Sequence, residues 1–161
     1  MARTKGPAVQ FATLEDVGSW LEIGRKVAPT FAPRPDFGLT LTRKIDQGNA
    51  PYGRAAAESP AMVSGRVLLG GVGTDPWIRR LAVRACVRGS GLGAALVGAA
   101  LDRRGAVSTI WLDGFGADNT VGLPAHAVCL RFGCEPGEMV GPGPEGGTRP
   151  RLVRHAWVQP P

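Results

Sequence analysis

The sequence predicts an α/β fold built on a mixed, mostly antiparallel twisted sheet with helices on both faces. Three observations carry this expectation. Two amphipathic segments precede residue 48, a run of strand-like segments broken by turn residues fills 51–83, and helix-like and strand-like segments then alternate to the end of the chain. No internal repeat and no break in composition divides the 161 residues. They are taken as one domain, 1–161, with residues 1–10 as a flexible terminus. A domain of this size buries roughly two-thirds of the surface its unfolded chain exposes.

The elements follow in order. A helix is expected from about Thr13, which can cap it, with Glu15 and Asp16 in the positive first turn and Leu14, Val17 and Leu21 on one face beside Trp20. Pro29 and the run FAPRPDFG end it. Phe37, Leu41 and Ile45, spaced four apart, predict a second helix over 37–47, closed by Gly48. Residues 52–57, 62–72 and 77–83 are apolar or β-branched and are separated by Glu-Ser-Pro and Thr-Asp-Pro, which reads as a three-stranded antiparallel meander. Residues 89–104 read as a helix with Leu92, Leu96, Ala99 and Ala100 on its apolar side, Arg103 and Arg104 at its negative end, and Gly105 as its stop. A strand at 107–113, a short helix at 125–132 and strands at 138–140 and 152–158 complete the order α-α-β-β-β-α-β-α-β-β.

Composition narrows the classes of function. Nineteen Lys and Arg against 13 Asp and Glu give a formal charge of +6, and only Lys5, Lys26 and Lys44 are lysines. Arginine forks suit phosphate and carboxylate, so a basic balance of this kind fits nucleic acid, a membrane surface or a polyphosphate ligand. The arginines are scattered rather than gathered in one run, which speaks against nucleic acid. The N-terminal MARTKGPAVQ has no apolar core of a secretory signal, and no apolar run reaches the length of a membrane span. Cys86, Cys129 and Cys134 are odd in number and lack CxxC or Cys/His ligand spacing. The expectation is a cytoplasmic protein with reduced thiols, no metal and no membrane or nucleic-acid partner.

The informative stretch is LAVRACVRGSGLGAALVGAAL, residues 81–101. A strand end is followed by a short connection, Arg88, and then Gly89-Ser90-Gly91-Leu92-Gly93-Ala94 opening a helix. A helix N-terminus offers unpaired N–H groups and the positive end of the dipole, glycines let a phosphate come close, and Arg88 adds a fixed positive fork; together these suit a pyrophosphate. A Walker loop would need a Gly-Lys-Ser/Thr ending, which is absent. A dinucleotide fingerprint matches at Gly89, Gly91, Ala94 and Asp113, but five residues separate Val83 from Gly89 and too few βα units follow. A plain helix cap is the remaining alternative, although Ser, Asn and Asp are the usual residues there.

LAVRACVRGSGLGAAL resembles motif A of the GNAT superfamily of N-acetyltransferases: a strand ending L-x-V, five residues to Arg or Gln, then x-x-G-x-G/A. Leu81, Val83, Arg88, Gly91 and Gly93 fall in register with it. The likeness continues through VSTIWLD, FGADN and Phe132-Gly133-Cys134, and covers residues 62–161 well, while over 1–60 it rests on element order alone. It implies acetyl-CoA as cosubstrate and a small-molecule or peptide primary amine as acceptor, acetylated by direct attack. The backbone of Leu81, Ala82 and Val83 would meet the acetyl and pantetheine arm. N–H groups from Arg88, Gly89, Ser90, Gly91, Leu92, Gly93 and Ala94 would hold the pyrophosphate, and Asn119 would touch pantetheine. The sheet would splay between residues 81–83 and 110–113 to form the groove.

The catalytic groups fit the pattern less closely. Transfer needs a neutral amine, a donor for the thioester oxygen (an N–H at a strand bulge near Val83) and a proton for the departing thiolate. The resemblance places the proton donor four residues before Gly133, where this chain has Cys129 in place of the usual Tyr; its one tyrosine is Tyr52. The strand before motif A carries Arg79 and Arg80 and no acid, leaving Glu22 and Asp113 as candidate bases, each of which is equally a solvated surface acid. Cys129 is equally a small buried apolar residue. His126, three residues from Cys129, is a second proton-carrying candidate, but nothing orients a Cys-His pair for covalent chemistry. The alternative function is an acyl-CoA-binding regulatory domain without transfer. The acceptor carries no motif, and homodimerisation is left open.

Overall fold

Turn residues and apolar alternation in the middle of the chain set up a sheet, and the two kinds of helix around it cover its two faces. The computed structural model describes residues 7–26, 35–54, 62–72, 75–104, 109–113, 123–141 and 149–155. The strands are β1 (Ala8–Phe11), β2 (Pro51–Arg54), β3 (Gly65–Val72), β4 (Asp75–Val83), β5 (Thr109–Asp113), β6 (Glu135–Val140) and β7 (Arg149–His155). The helices are α1 (Val17–Lys26), α2 (Phe37–Asp46), α3 (Leu92–Arg104) and α4 (Leu123–Arg131). The sheet order is β1-β2-β3-β4-β5-β7-β6, and every neighbouring pair is antiparallel except β4 with β5.

Two differences from the sequence reading stand out. Residues 8–10, expected to be part of a flexible terminus, belong to an edge strand. β1 pairs with β2 from Ala8↔Arg54 to Phe11↔Pro51, and the Tyr52 hydroxyl donates to Gln10 Oε1 at 2.9 Å. The helix expected from residue 89 starts at Leu92, because Gly89 and Gly91 take φ of +80° and +84° and cannot be part of it. Elsewhere the boundaries within the described residues move by a few positions, and the expected strand residues 55–57, 107–108 and 156–158 and the helix stop Gly105 lie outside the described residues. Thr13 does head the first helical segment, a 3-10 turn (Leu14–Asp16) running into α1, with the Asp16 carboxylate accepting from the Thr13 N–H at 2.8 Å.

Each face of the sheet has its own core. On one side Val67, Leu69 and Ile78 pack with Leu92, Leu96, Val97 and Ala100 of α3 and with Cys129 of α4. On the other, Leu68 and Ala82 pack with Trp20 and Ile23 of α1 and Leu41 and Ile45 of α2. The start of α3 lies very close to the sheet. A Cβ on Gly65 would come within 2.9 Å of Leu92 Cδ2 and 3.0 Å of Leu96 Cδ1, so the missing side chain there lets the helix N-terminus settle beside β4. Among the described residues no helix is long and apolar enough to cross a membrane.

Candidate functional site

β4 carries an irregularity that shapes the site. Its register with β3 runs Leu68↔Arg79 and then Arg66↔Ala82, so one extra residue is accommodated on β4. Arg80 sits there with φ +54°, the one non-glycine residue of positive φ among those described. The consequence is a change of parity. Ile78 faces the α3 core, and an unbroken strand would send Ala82 to that same face; instead Leu81 and Val83 pack on the α3 side while Ala82 turns toward α1 and α2. The bulge therefore re-aims the last three residues of the strand. Holding a side-chain-bearing residue in this region costs about 1–3 kcal/mol, and a β-branched residue tolerates it least. Arg80→Val is expected to lower stability by roughly 1–2 kcal/mol relative to Arg80→Gly; equal urea midpoints for the two variants would show that the bulge does not need the left-handed residue.

Beyond the bulge, β4 is paired on its β3 side by Arg66↔Ala82 and Gly65↔Val83. Toward β5, the one pair among the described residues is Trp77↔Trp111, where the two indoles stack with centroids 6.1 Å apart and Arg151 lies 4.7 Å over the Trp77 ring. β5 itself is paired along its other edge with β7 over its full length. Leu81, Ala82 and Val83 thus lie beyond the last described β4–β5 pair.

The chain then turns through a 3-10 segment (Ala85–Val87) into Arg88, Gly89, Ser90 and Gly91, all exposed, and enters α3. The Gly91 carbonyl accepts the Ala95 N–H at 3.0 Å, which makes Gly91 the cap of the helix. The N–H groups of Leu92, Gly93 and Ala94 in the first turn have no intrahelical acceptor. A Cβ built on Gly89 or Gly91 would meet nothing within 4 Å, so the surface above this turn is open. Gly93 faces inward, 3.8 Å from Val83 Cγ2 and 3.9 Å from Val128 Cγ2 measured from a Cβ placed there, tying the turn to β4 and α4. An open, backbone-lined turn at the positive end of a 13-residue helix, with an exposed arginine beside it, fits a pyrophosphate group.

The remaining sequence candidates lie as follows. Glu22, on α1, is clamped between Lys26 Nζ and Arg84 Nη2, both 3.3 Å from its Oε1. Those two partners hold its carboxyl below the usual carboxylate range, which weakens it as a base. Asp113 ends β5, opposite Arg151 of β7. Cys129 is 2% exposed in the α3-side core. Its thiol is pushed up by a hydrogen bond to Cys134 and by burial, while Cys134 is pushed down by the same bond. The backbone brings the two cysteines together: α4 ends in a Schellman turn in which the Cys134 N–H donates to the Cys129 carbonyl at 3.1 Å and the Gly133 N–H to that of Leu130 at 3.0 Å. Asn119 lies outside the described residues.

Two side chains escaped the sequence reading. Arg66, the second residue of β3, is 1% exposed, with its guanidinium carbon 5.5 Å from the ring centres of both Trp20 and Phe37. Arg84 is 7% exposed, donating from Nε to the Val63 carbonyl at 2.9 Å while Nη2 meets Glu22. The signal available for Arg66 was a lone charge inside the run GRVLLGGV.

No family model matches the chain, and no curated protein matches it. Many solved structures do share its fold. Ard1 from Thermoplasma volcanium superposes with a TM-score of 0.76 at 17% identity, over 96% of this chain and 100% of that one. The ribosomal-protein-S18-alanine N-acetyltransferase of Escherichia coli gives 0.70 at 15% identity, over 96% of each chain. A GNAT superfamily phosphinothricin acetyltransferase from Sinorhizobium meliloti, in complex with AcCoA, gives 0.73 at 14% identity, over 94% of this chain and 89% of that one. The protein has the fold of the GNAT acetyltransferases.

Proposed function

We propose that this protein transfers an acetyl group from acetyl-CoA to a primary amine by direct attack of the amine nitrogen on the thioester carbonyl. The observation that carries the reading is the meeting of two features at one end of β4: a strand end past its last described β5 partner, and an open glycine turn at the N-terminus of α3. Arg88, Gly89, Ser90, Gly91, Leu92, Gly93 and Ala94 hold the pyrophosphate in this reading, and the backbone of Leu81, Ala82 and Val83 lies along the acetyl-bearing arm. N–H groups there stabilise the oxygen as the carbonyl becomes tetrahedral. The new bond is N–C, the broken one is C–S, and CoA leaves as a thiolate.

The amine must lose a proton, since a lysine-like amine has a pKa of about 10.4 in water. Glu22 is a poor choice for this because Lys26 and Arg84 stabilise its charged form. That leaves Asp113, whose backbone ends β5 two residues past the Trp77↔Trp111 pair, as the base in this reading. We assign the proton for the thiolate to solvent rather than to Cys129, whose thiol is shut in the core. A general acid contributes about 10²–10⁴-fold, so Cys129→Ala is expected to keep kcat within about tenfold; a loss of that larger size would restore the thiol as proton donor.

Calorimetric titration with acetyl-CoA, CoA and NAD tests the donor site, and thiol release across a panel of amines tests the transfer. Micromolar binding of both CoA species, none of NAD, and amine-dependent thiol release are expected. Absence of CoA binding would overturn the reading. Binding without release from any amine would favour the second reading, an acyl-CoA-binding regulatory domain, which the clamped Glu22 and buried Cys129 also suit.

A further inference from the structure

The turn that ends α4 sets two cysteines against each other. Cys129 and Cys134 are the first and sixth residues of its Schellman motif, joined through the backbone by the Cys134 N–H and the Cys129 carbonyl at 3.1 Å. A bond of this kind draws the ends of the turn together, and the side chains at its two ends commonly touch as an apolar pair. Here both ends carry a thiol. Neither cysteine is in a disulfide, and the Cys129 S–H donates to the Cys134 sulfur. A disulfide needs Cα atoms about 4.4–6.8 Å apart with their side chains facing, and a turn closed in this way is compact enough for one.

The two sulfurs differ in character. The bond it donates, together with burial, keeps Cys129 protonated. Accepting that bond holds Cys134 below the usual thiol range; burial opposes this and the Arg154 charge assists it. Arg154 is fixed beside the turn by its Nε, which donates to the Phe132 carbonyl at 2.9 Å. An attacking sulfur and a resolving thiol in contact are the two parts that reversible thiol oxidation requires. Both sulfurs lie under the surface, at 2% and 3% exposure, but Leu130, Arg131, Gly133 and Glu135 around them are exposed. Fraying of the last helical turn therefore admits a small oxidant more readily than a bulky one.

We propose that Cys129 and Cys134 are a reversible modification site, a dithiol that a hydroperoxide converts to a disulfide. The Cys134 thiolate attacks one peroxide oxygen. An S–O bond forms, the O–O bond breaks, and the departing oxygen takes up the proton that Cys134 released; from hydrogen peroxide it leaves as water. The Cys129 sulfur then attacks the sulfenic sulfur. The S–S bond forms, the S–O bond breaks, and the hydroxyl leaves as a second water with the Cys129 proton. Two electrons pass from the two sulfurs to one peroxide. A thiol reductant reverses the change by exchange. The closed bond fastens the end of α4 to the start of β6. The site does not depend on the acetyltransfer reading.

The test treats the reduced full chain with hydrogen peroxide, blocks remaining thiols with iodoacetamide in denaturant and digests with trypsin. Arg131 lies between the two cysteines, so the disulfide appears as two peptides joined by a bond that dithiothreitol releases. Cys129 and Cys134 should be joined in most of the protein. The joined form should melt higher than the same sample after dithiothreitol, by roughly 4–8 °C for so short a loop. Single variants assign the roles. In Cys129→Ala, Cys134 should stop at a sulfenic acid that dimedone traps; in Cys134→Ala, Cys129 should react at least about tenfold more slowly. Oxidation of Cys86 with 129 and 134 left as thiols, a joined form that melts no higher, or equal rates in the two variants overturns the proposal. If either variant fails to fold, the peptide map and melting temperature of the parent still decide.

Discussion

Gly91→Glu abolishes CoA binding while the chain stays folded: that is the expected result of the most direct test of the donor site. Gly91 caps α3 at φ +84°, and a Cβ there meets no atom within 4 Å. Substitution therefore has a backbone cost but no steric one. The left-handed conformation costs a residue with a side chain about 1–2 kcal/mol, or roughly 2–8 °C in Tm for a domain of this size. The function suffers more. A glutamate at this position puts a negative charge where the N–H groups of Leu92, Gly93 and Ala94 and the dipole of α3 would meet pyrophosphate. Juxtaposed like charges cost several kcal/mol, and about 1.4 kcal/mol is a factor of ten, so affinity should fall by about two orders of magnitude or more. Gly91→Ala separates the terms, because it has the same backbone cost without the charge. Calorimetry should find its CoA affinity within about tenfold of the parent. If Gly91→Glu binds CoA as the parent does, the turn is a helix cap and the pyrophosphate site lies elsewhere or nowhere.

The features this test depends on were legible in the sequence because they are local. Alternating glycines after an arginine change the backbone where they stand, and the strand before them and the helix after them follow from apolar spacing. What the sequence did not show depends on partners far away in the chain. β1 is four residues of mostly exposed edge strand with no alternation to betray it; it exists because Tyr52 and its neighbours are there to pair with. The bulge at Arg80 is likewise silent, since arginine has no preference for positive φ. It shows only as a switch in which of two cores each β4 residue joins.

The site divides along the same line. The exposed turn from Arg88 to Gly91 ahead of α3 was legible from residue order. Cys129 was reached by counting back from Gly133, and counting does not tell whether a side chain faces a groove or a core; the thiol faces the core, beside Cys134. Glu22 was chosen as one of few acids, but the two cations that clamp it lie four and 62 residues away. Arg66 reads as an ordinary solvent-facing charge on a half-buried strand until α1 and α2 are laid over it, and their placement is a tertiary fact. The fold and the glycine turn come from short-range pattern, whereas the surroundings of Cys129, Glu22 and Arg66 come from partners distant in the chain.

That second face can be tested through Trp20, the largest wholly buried side chain in its core. Trp20→Ala removes an indole at 0% exposure, a change that typically costs about 3–5 kcal/mol in transfer and cavity terms. One contribution opposes this. The indole Nε1 is buried without a hydrogen-bond partner, and removing an orphaned donor returns about 1 kcal/mol or more. The net loss should be about 2–4 kcal/mol, or roughly 4–16 °C in Tm. Trp20→Phe isolates the opposing part, because it keeps most of the ring area and deletes the orphaned N–H; its stability should lie within about 1 kcal/mol of the parent. The two variants also differ at Arg66, which lies 5.5 Å from the Trp20 ring centre. Phenylalanine preserves an aromatic face for the guanidinium, and alanine leaves Phe37 as the one remaining wall. Trp20→Ala should nevertheless leave CoA affinity unchanged, since α3 and its turn belong to the other core. A Trp20→Ala protein as stable as the parent would mean that α1 is not held by this side chain; one that loses CoA binding would mean that the two cores do not act separately.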